Sequence, residues 1–169
     1  MIFRATVLLL LATLSACGFQ LRGTISIPPE WQTLELNTPS PNSELASGVR
    51  SGFSNNGVTW AEVPEANYVL ILGPEVFEQR NLTIGSNARA TEFELTLKTN
   101  LEVRSAKGDQ IAEPTDVVVT KIMTHDPENV TGKVEESRLL RQEMRVELVQ
   151  QVMRRVRFLS TSGVASTSP

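Results

Sequence analysis

From Phe93 to Arg104 the residues alternate without a slip. Phe93, Leu95, Leu97, Thr99, Leu101 and Val103 fall on one side, and Glu94, Thr96, Lys98, Asn100, Glu102 and Arg104 on the other. A helix would scatter this pattern around its axis, whereas a strand collects each set on one face. The run is therefore a long strand with one apolar face and one face in water. Such a strand needs neighbours for its backbone and a cover for its apolar side. Lys107-Gly108-Asp109 supplies a turn, and the β-branched run Val117 to Thr124 supplies a mate. The two are expected to form an antiparallel hairpin with a longer connection.

The cover is legible on both sides of this hairpin. Leu45, Val49 and Phe53 recur every four residues, the spacing of one helical face. Ser40 and Pro41 offer a helix start, and Asn56-Gly57 a left-handed stop, giving a first helix of about 12–15 residues. Downstream, Asp126-Pro127 breaks the strand. A second, long helix follows from about Lys133 to Phe158. Its stripe is Leu140, Met144, Leu148, Val152 and Val156, widened by Leu139, Val149 and Met153. Thr33 to Asn37 alternates like a half-buried strand. Tyr68 to Phe77 is a β-prone run interrupted by Gly73-Pro74, which points to an edge strand or a bulge. Gln79 to Asn87 reads as a polar loop. The order is strand, helix, three strands, helix. The expectation is an α+β fold: a two-layer sandwich of an approximately four-stranded, mostly antiparallel sheet with two helices packed on one face.

Composition narrows the function classes. Lys and Arg number 16 against 19 Asp and Glu, a net charge of −3, without the basic excess of a general nucleic-acid binder. A single cysteine excludes an internal disulfide framework, and a single histidine, His125, leaves little for His-based catalysis or a multi-His metal centre. His125-Asp126 lacks a nucleophile motif beside it and reads as a polar turn. No Gly-rich phosphate loop occurs. An enzyme is the least supported class, and it predicts a cleft with perturbed titratable groups.

The chain opens with a short cationic stretch, Met1 to Arg4, and an apolar run, Ala5 to Leu14, too short to span a bilayer. Residues 1–16 read as an export signal. Leu14-Ser15-Ala16-Cys17 resembles the lipobox of bacterial lipoproteins, in which the cysteine is acylated and becomes the mature N-terminus. Each buried CH₂ contributes about 0.8 kcal/mol, so several acyl chains hold a protein where one holds it only reversibly. Gly18, in the place where an aspartate marks inner-membrane retention in that class, points to the outer membrane. Residues 17–32 are then a lipidated tether, 33–159 a single α+β domain, and the Ser/Thr/Gly-rich 160–169 a disordered tail. No cofactor is expected beyond the covalent lipid on Cys17.

The run Cys17-Gly18-Phe19-Gln20-Leu21-Arg22-Gly23 after the lipobox resembles the mature start of the LptE family of lipopolysaccharide-assembly lipoproteins. The family's element order is matched by the Pro41-Asn42 helix start, the Asn56-Gly57-Val58 stop, the strand Glu92 to Arg104, the Asp126-Pro127 break and the Glu135-Glu136…Leu140…Glu143-Met144 helix. The resemblance implies a non-enzymatic outer-membrane lipoprotein facing the periplasm and a barrel lumen. Its implied partner is the lipopolysaccharide translocon LptD, a very large β-barrel that it plugs and helps assemble, and its implied ligand is lipopolysaccharide. Large outer-membrane barrels have polar lumens that can hold a plug.

A lipopolysaccharide binder needs cations for phosphates, and with a negative net charge these must be clustered locally. Arg80 and Arg89 bracket the loop before the long strand, Lys133 lies where a loop meets the last helix, and Lys121 lies on the neighbouring strand. The resemblance implies lipopolysaccharide contact at the strand-start loop and at this helix junction. Lys133 matches by its place relative to Glu143-Met144, and Arg89 matches more loosely. The plainer reading of all four is solvated surface charge. The loop Arg80 to Ala90 can insert into the barrel or serve as a connector. The basic edge of the last helix (Arg138, Arg141, Arg145, Arg154, Arg155, Arg157) either meets acidic lumen residues or forms a solvated face paired with Glu135, Glu136, Glu143 and Glu147. Phe19 and Trp31 suit a partner or lipid interface, and Trp31 equally suits the core. A rival from another class is a pilot-like lipoprotein accessory of a different envelope secretion machine.

Overall fold

A computed structural model describes residues 27–84, 90–124 and 130–165. A 3₁₀ turn, Pro29–Trp31, leads into β1 (Thr33–Asn37), α1 (Glu44–Ser54), β2 (Thr59–Trp60), β3 (Tyr68–Leu72), β4 (Val76–Ile84), β5 (Ala90–Ser105), β6 (Gln110–Thr124) and α2 (Val130–Ala165). The expected α+β class with two helices holds. The sheet differs from expectation: it has six strands and is mixed, with β1 running parallel to both β2 and β3.

The alternating strand organises everything else. Along one side β5 pairs with β6, from Glu92 opposite Thr124 to Arg104 opposite Gln110. Its other side is shared end to end, by β4 opposite Ala90–Lys98 and by β3 opposite Leu101–Ser105. Leu72 faces Leu101 and Val76 faces Lys98, so four steps on one chain answer three on the other. One extra residue enters at Gly73-Pro74-Glu75, a β-bulge that flips the side-chain alternation. Leu70 and Leu72 are buried before it, and Phe77 packs on the core after it. A Cβ at Gly73 would stand 3.3 Å from the backbone nitrogen of Asn100, and the Gly73 amide donates to the Asn100 carbonyl at 2.8 Å. The expected loop from Gln79 is strand through Ile84. Its charged residue Arg80 belongs to the outer face and meets Glu94, next to the Lys98–Glu78 pair, while Gln79 and Asn81 stand opposite Leu95 and Phe93 of the inner row. β2 is too short, at two residues, to carry a pattern.

The inner face of β5 is buried throughout, as the alternation requires: Leu95 and Leu97 are fully enclosed, and Phe93, Thr99, Leu101 and Val103 nearly so. Thr99, the one polar member, donates its hydroxyl to the Gly73 carbonyl at 2.9 Å, so no buried polar group is stranded. Val117, Val119 and Met123 of β6 extend this face. Leu45, Val49 and Phe53 of α1 and Met144, Leu148, Val152 and Val156 of α2 close it. Fully burying one such side chain contributes about 1.5–3 kcal/mol. Trp31 is core, stacked on Tyr68 with ring centroids 3.9 Å apart.

The helix limits shift from their expected places for local reasons. Ser43 caps α1, its Oγ accepting from the Ala46 amide at 3.1 Å. Ser40 and Pro41 instead form the preceding turn, closed by the Ser43 amide on the Ser40 carbonyl, with Pro at the favoured second position. α1 therefore has 11 residues. It stops where expected, with Gly57 at φ +85°. α1 and α2 approach closely at Gly48 and Gly52. A Cβ on Gly48 would lie 3.0 Å from Val149, and one on Gly52 2.6 Å from the Met153 sulfur. α2 begins at Val130 and runs past the expected end to Ala165. Ser160, placed in the tail by composition, is buried and bonds the Arg157 carbonyl at 2.8 Å. Leu139 is exposed and lies off the apolar stripe it was expected to widen.

Candidate functional site

The sheet's free end gathers the segments that carry the expected cations. Ile84 pairs with Ala90, and Glu92 pairs with Thr124, so β4, β5 and β6 all open at the same end. Arg89 lies outside the described residues, and its neighbour Ala90 starts β5 at this end. Lys133 lies in the first turns of α2, whose start at Val130 is six residues beyond Thr124. Cys17, Phe19 and His125-Asp126 lie outside the described residues.

Arg80 stands on the outer face of β4 and pairs with Glu94 of β5 at 2.9 Å, itself largely in water. Lys121 is different. It sits in the inward row of β6 with Val117, Val119 and Met123 and reaches α2, where Glu143 lies at 2.5 Å and Glu147 at 3.8 Å. The hydrogen bond to Glu143 holds the Lys121 ammonium above the usual lysine range, against partial desolvation. Arg80 and Lys121 thus have carboxylate partners within the scaffold, and they stand on opposite faces of the sheet, Arg80 opposite Glu94 and Lys121 opposite Leu95.

The basic edge of α2 divides into two parts that the sequence did not separate. The N-terminal part is engaged. Arg138 pairs with Glu135 at 2.6 Å, and the Arg141 guanidinium lies 3.8 Å from the centre of the Phe77 ring. Arg145 forms a fork on Glu75, Nε to Oε2 at 2.6 Å and Nη2 to Oε1 at 2.7 Å, and also bonds Glu44. That fork ties the β3–β4 bulge, the start of α1 and the middle of α2 together. The hydrogen bonds that Arg145 donates to Glu75 raise the Arg145 pKa further. Glu143 and Glu147, expected to serve arginines on their own helix, serve Lys121 instead. In the C-terminal part, Arg154, Arg155 and Arg157 have no ion pair among the described residues.

Among the described residues every resolved shift, at Lys98, Lys121, Glu135, Arg138 and Arg145, favours the charged form within an ion pair. Such shifts stabilise pairs and do not poise a group for proton transfer near neutrality. Among the described residues no three His, Cys, Asp or Glu side chains converge as metal ligands, and no helix is long and apolar enough to cross a membrane. The outer face of the sheet exposes Val76, Val118 and Ile122, the last 65% accessible, interleaved with Thr96, Thr120 and the Arg80–Glu94 and Lys98–Glu78 pairs.

A family model for LptE, described as lipopolysaccharide-assembly, matches residues 31–156. The LPS-assembly lipoprotein LptE of Yersinia pestis is 32% identical over 167 residues, covering 96% of this chain and 79% of its own. Among solved structures, lipoprotein B from Nitrosomonas europaea superposes with a TM-score of 0.74 at 20% identity, over 89% of this chain and 97% of its own. The rare lipoprotein B from Shewanella oneidensis gives 0.70 at 20% identity, over 80% and 99%. These two establish likeness of fold.

Proposed function

The chain belongs to the LptE lipopolysaccharide-assembly family, and from that membership we propose that it is an outer-membrane lipoprotein that plugs and helps assemble an LptD-type barrel and binds lipopolysaccharide. The lipid on Cys17 holds the domain at the periplasmic side of the outer membrane. The domain itself enters the barrel lumen as a compact wedge with a polar surface. No reacting group is required of it.

The observation that carries this reading is the 32% identity to a lipopolysaccharide-assembly lipoprotein over 96% of the chain. The sheet geometry supports the ligand side. Strands β4, β5 and β6 open at one end, so the Arg89 segment and the start of α2 bearing Lys133 leave neighbouring strands. Two cations there suit the phosphates of lipopolysaccharide, which guanidinium and ammonium groups bind by charge-assisted hydrogen bonds. Arg80, on the outer face, can add a contact there by exchanging Glu94 for a phosphate oxygen, whereas Lys121 is turned to the inner face and held by Glu143 of α2. The test is the double variant Arg89→Ala with Lys133→Ala. Lipopolysaccharide binding is expected to fall at least tenfold, the loss of about 1.4 kcal/mol or more, while the barrel complex still forms. Unchanged binding by a variant that still forms the complex refutes the ligand site.

A further inference from the structure

No Asp or Glu follows Glu147 in the sequence, yet Arg154, Arg155 and Arg157 fall within one turn of α2. All three lack an ion pair among the described residues, unlike Arg138 and Arg145 of the same helix. Phe158 stands beside them and is 67% accessible, the most exposed large apolar side chain among the described residues. The nearby end of α1 adds no opposing charge: Gly52, Ser54, Asn55 and Asn56 are neutral. An aromatic ring flanked by unpaired arginines is suited to a membrane interface, where the ring enters the headgroup layer and the guanidinium groups meet phosphates.

The position of this patch selects the surface it meets. Arg154 and Arg157 line a small recess with Ile27, Phe53 and Met153. Ile27 is the first described residue, so the chain coming from Cys17 reaches the domain at this recess. Fully extended, the segment from Cys17 to Ile27 spans at most about 35 Å. A lipid on Cys17 would therefore keep the patch near the bilayer that holds it.

We propose that Arg154, Arg155, Arg157 and Phe158 form a second membrane contact, which docks the tether-proximal end of α2 on anionic phospholipid headgroups and sets the orientation of the domain. This rests on the lipid anchor proposed at Cys17 and does not require the barrel. Short anchors are strengthened by an adjacent basic cluster, and each arginine near an anionic surface tightens contact by roughly fivefold, so three give on the order of a hundredfold. The contact is screened by salt.

The test uses the full lipidated protein bearing Phe158→Cys labelled with an environment-sensitive fluorophore. It is reconstituted on vesicles of phosphatidylcholine alone, or of phosphatidylcholine mixed with phosphatidylglycerol. The expected result is flotation with both vesicles. The probe should shift to the blue only where phosphatidylglycerol is present, and the shift should reverse in high salt. The triple variant Arg154→Gln, Arg155→Gln, Arg157→Gln is expected to float and lose the shift. The salt reversal needs no variant and so stands even if the triple variant folds poorly. Flotation with the probe still in water on phosphatidylglycerol overturns the docking and leaves the anchor intact. Failure to float overturns the anchor and the docking together. A probe that is unshifted on vesicles but buried in a complex with a barrel assigns the patch to protein and also overturns the docking.

Discussion

Replacing Arg145 with Met is expected to destabilise the fold by about 2–3 kcal/mol. The side chain is only 16% accessible, and its two bonds to Glu75 are 2.6 and 2.7 Å in a bidentate geometry. Hydrogen bonds to charged groups contribute about 1.5–3 kcal/mol each, and Glu75, itself 20% accessible, recovers part of the loss from water once the arginine is gone. Glu44 is 78% accessible, so Glu44→Gln should cost about 0.5 kcal/mol or less. Met at 145 preserves the aliphatic packing, so the measured loss is that of the fork. Changing Glu75 to Met as well removes the stranded carboxylate, and the double variant should recover to within about 1 kcal/mol of the parent. The coupling between the two sites is then about 1–2 kcal/mol plus whatever Glu75→Met costs alone, which completes the cycle. Urea unfolding at constant m measures each term. Because the guanidinium pKa is raised in the fold, the Arg145 contribution is complete from neutral pH up to the arginine range and is lost in alkali only on rising through it. The difference should therefore stay flat from neutral to strongly alkaline pH. If Arg145→Met costs no more than Glu44→Gln, the fork does not join the bulge to the helices.

Leu95→Ala, at a fully buried site on the inner face of β5, should cost about 2–5 kcal/mol in the same urea assay; a loss below 1 kcal/mol would contradict the assigned core. Gly48→Val meets Val149 where even a Cβ would stand at 3.0 Å, so an overpacking cost of about 1–3 kcal/mol is expected, and a stabilised variant would show that the helices are not in close contact. Lys121 is held above the lysine range by Glu143, so its contribution is present below the unfolded lysine pKa and lost as pH rises through the raised value. Stability curves of the parent and of Lys121→Met should accordingly converge in alkali, and curves that stay parallel there would discount the pair.

The parts of the fold that follow a period were readable from the chain. The inner row of β5 is buried residue for residue because alternation is the geometry of a strand, and α1 ends at Gly57 because only a left-handed residue fits that stop. What the sequence hid was pairing. The bulge at Gly73–Glu75 is a one-residue change of register, visible only against β5. β4 looked like a loop because the polar residues of its outer face satisfy one another across the strand boundary, at Arg80–Glu94 and Glu78–Lys98. Ser160 carries the composition of a tail, yet its hydroxyl is satisfied by the turn before it, which lets the helix bury it. Among the candidate cations, a residue type cannot announce its partner. Lys121 looked available but is shared with Glu143, and Arg145 finds Glu75 and Glu44 from 70 and 101 residues away. The split of the α2 arginines into engaged and unpaired sets needed those partners to be known.

The most direct measurement is affinity purification of the tagged chain from detergent-solubilised membranes of cells fed labelled palmitate. A labelled protein that brings down a single-chain, very large β-barrel is the predicted result. An unlabelled protein, or a labelled one that recovers a secretin or no barrel at all, would contradict the assignment of this chain as a lipid-anchored barrel plug.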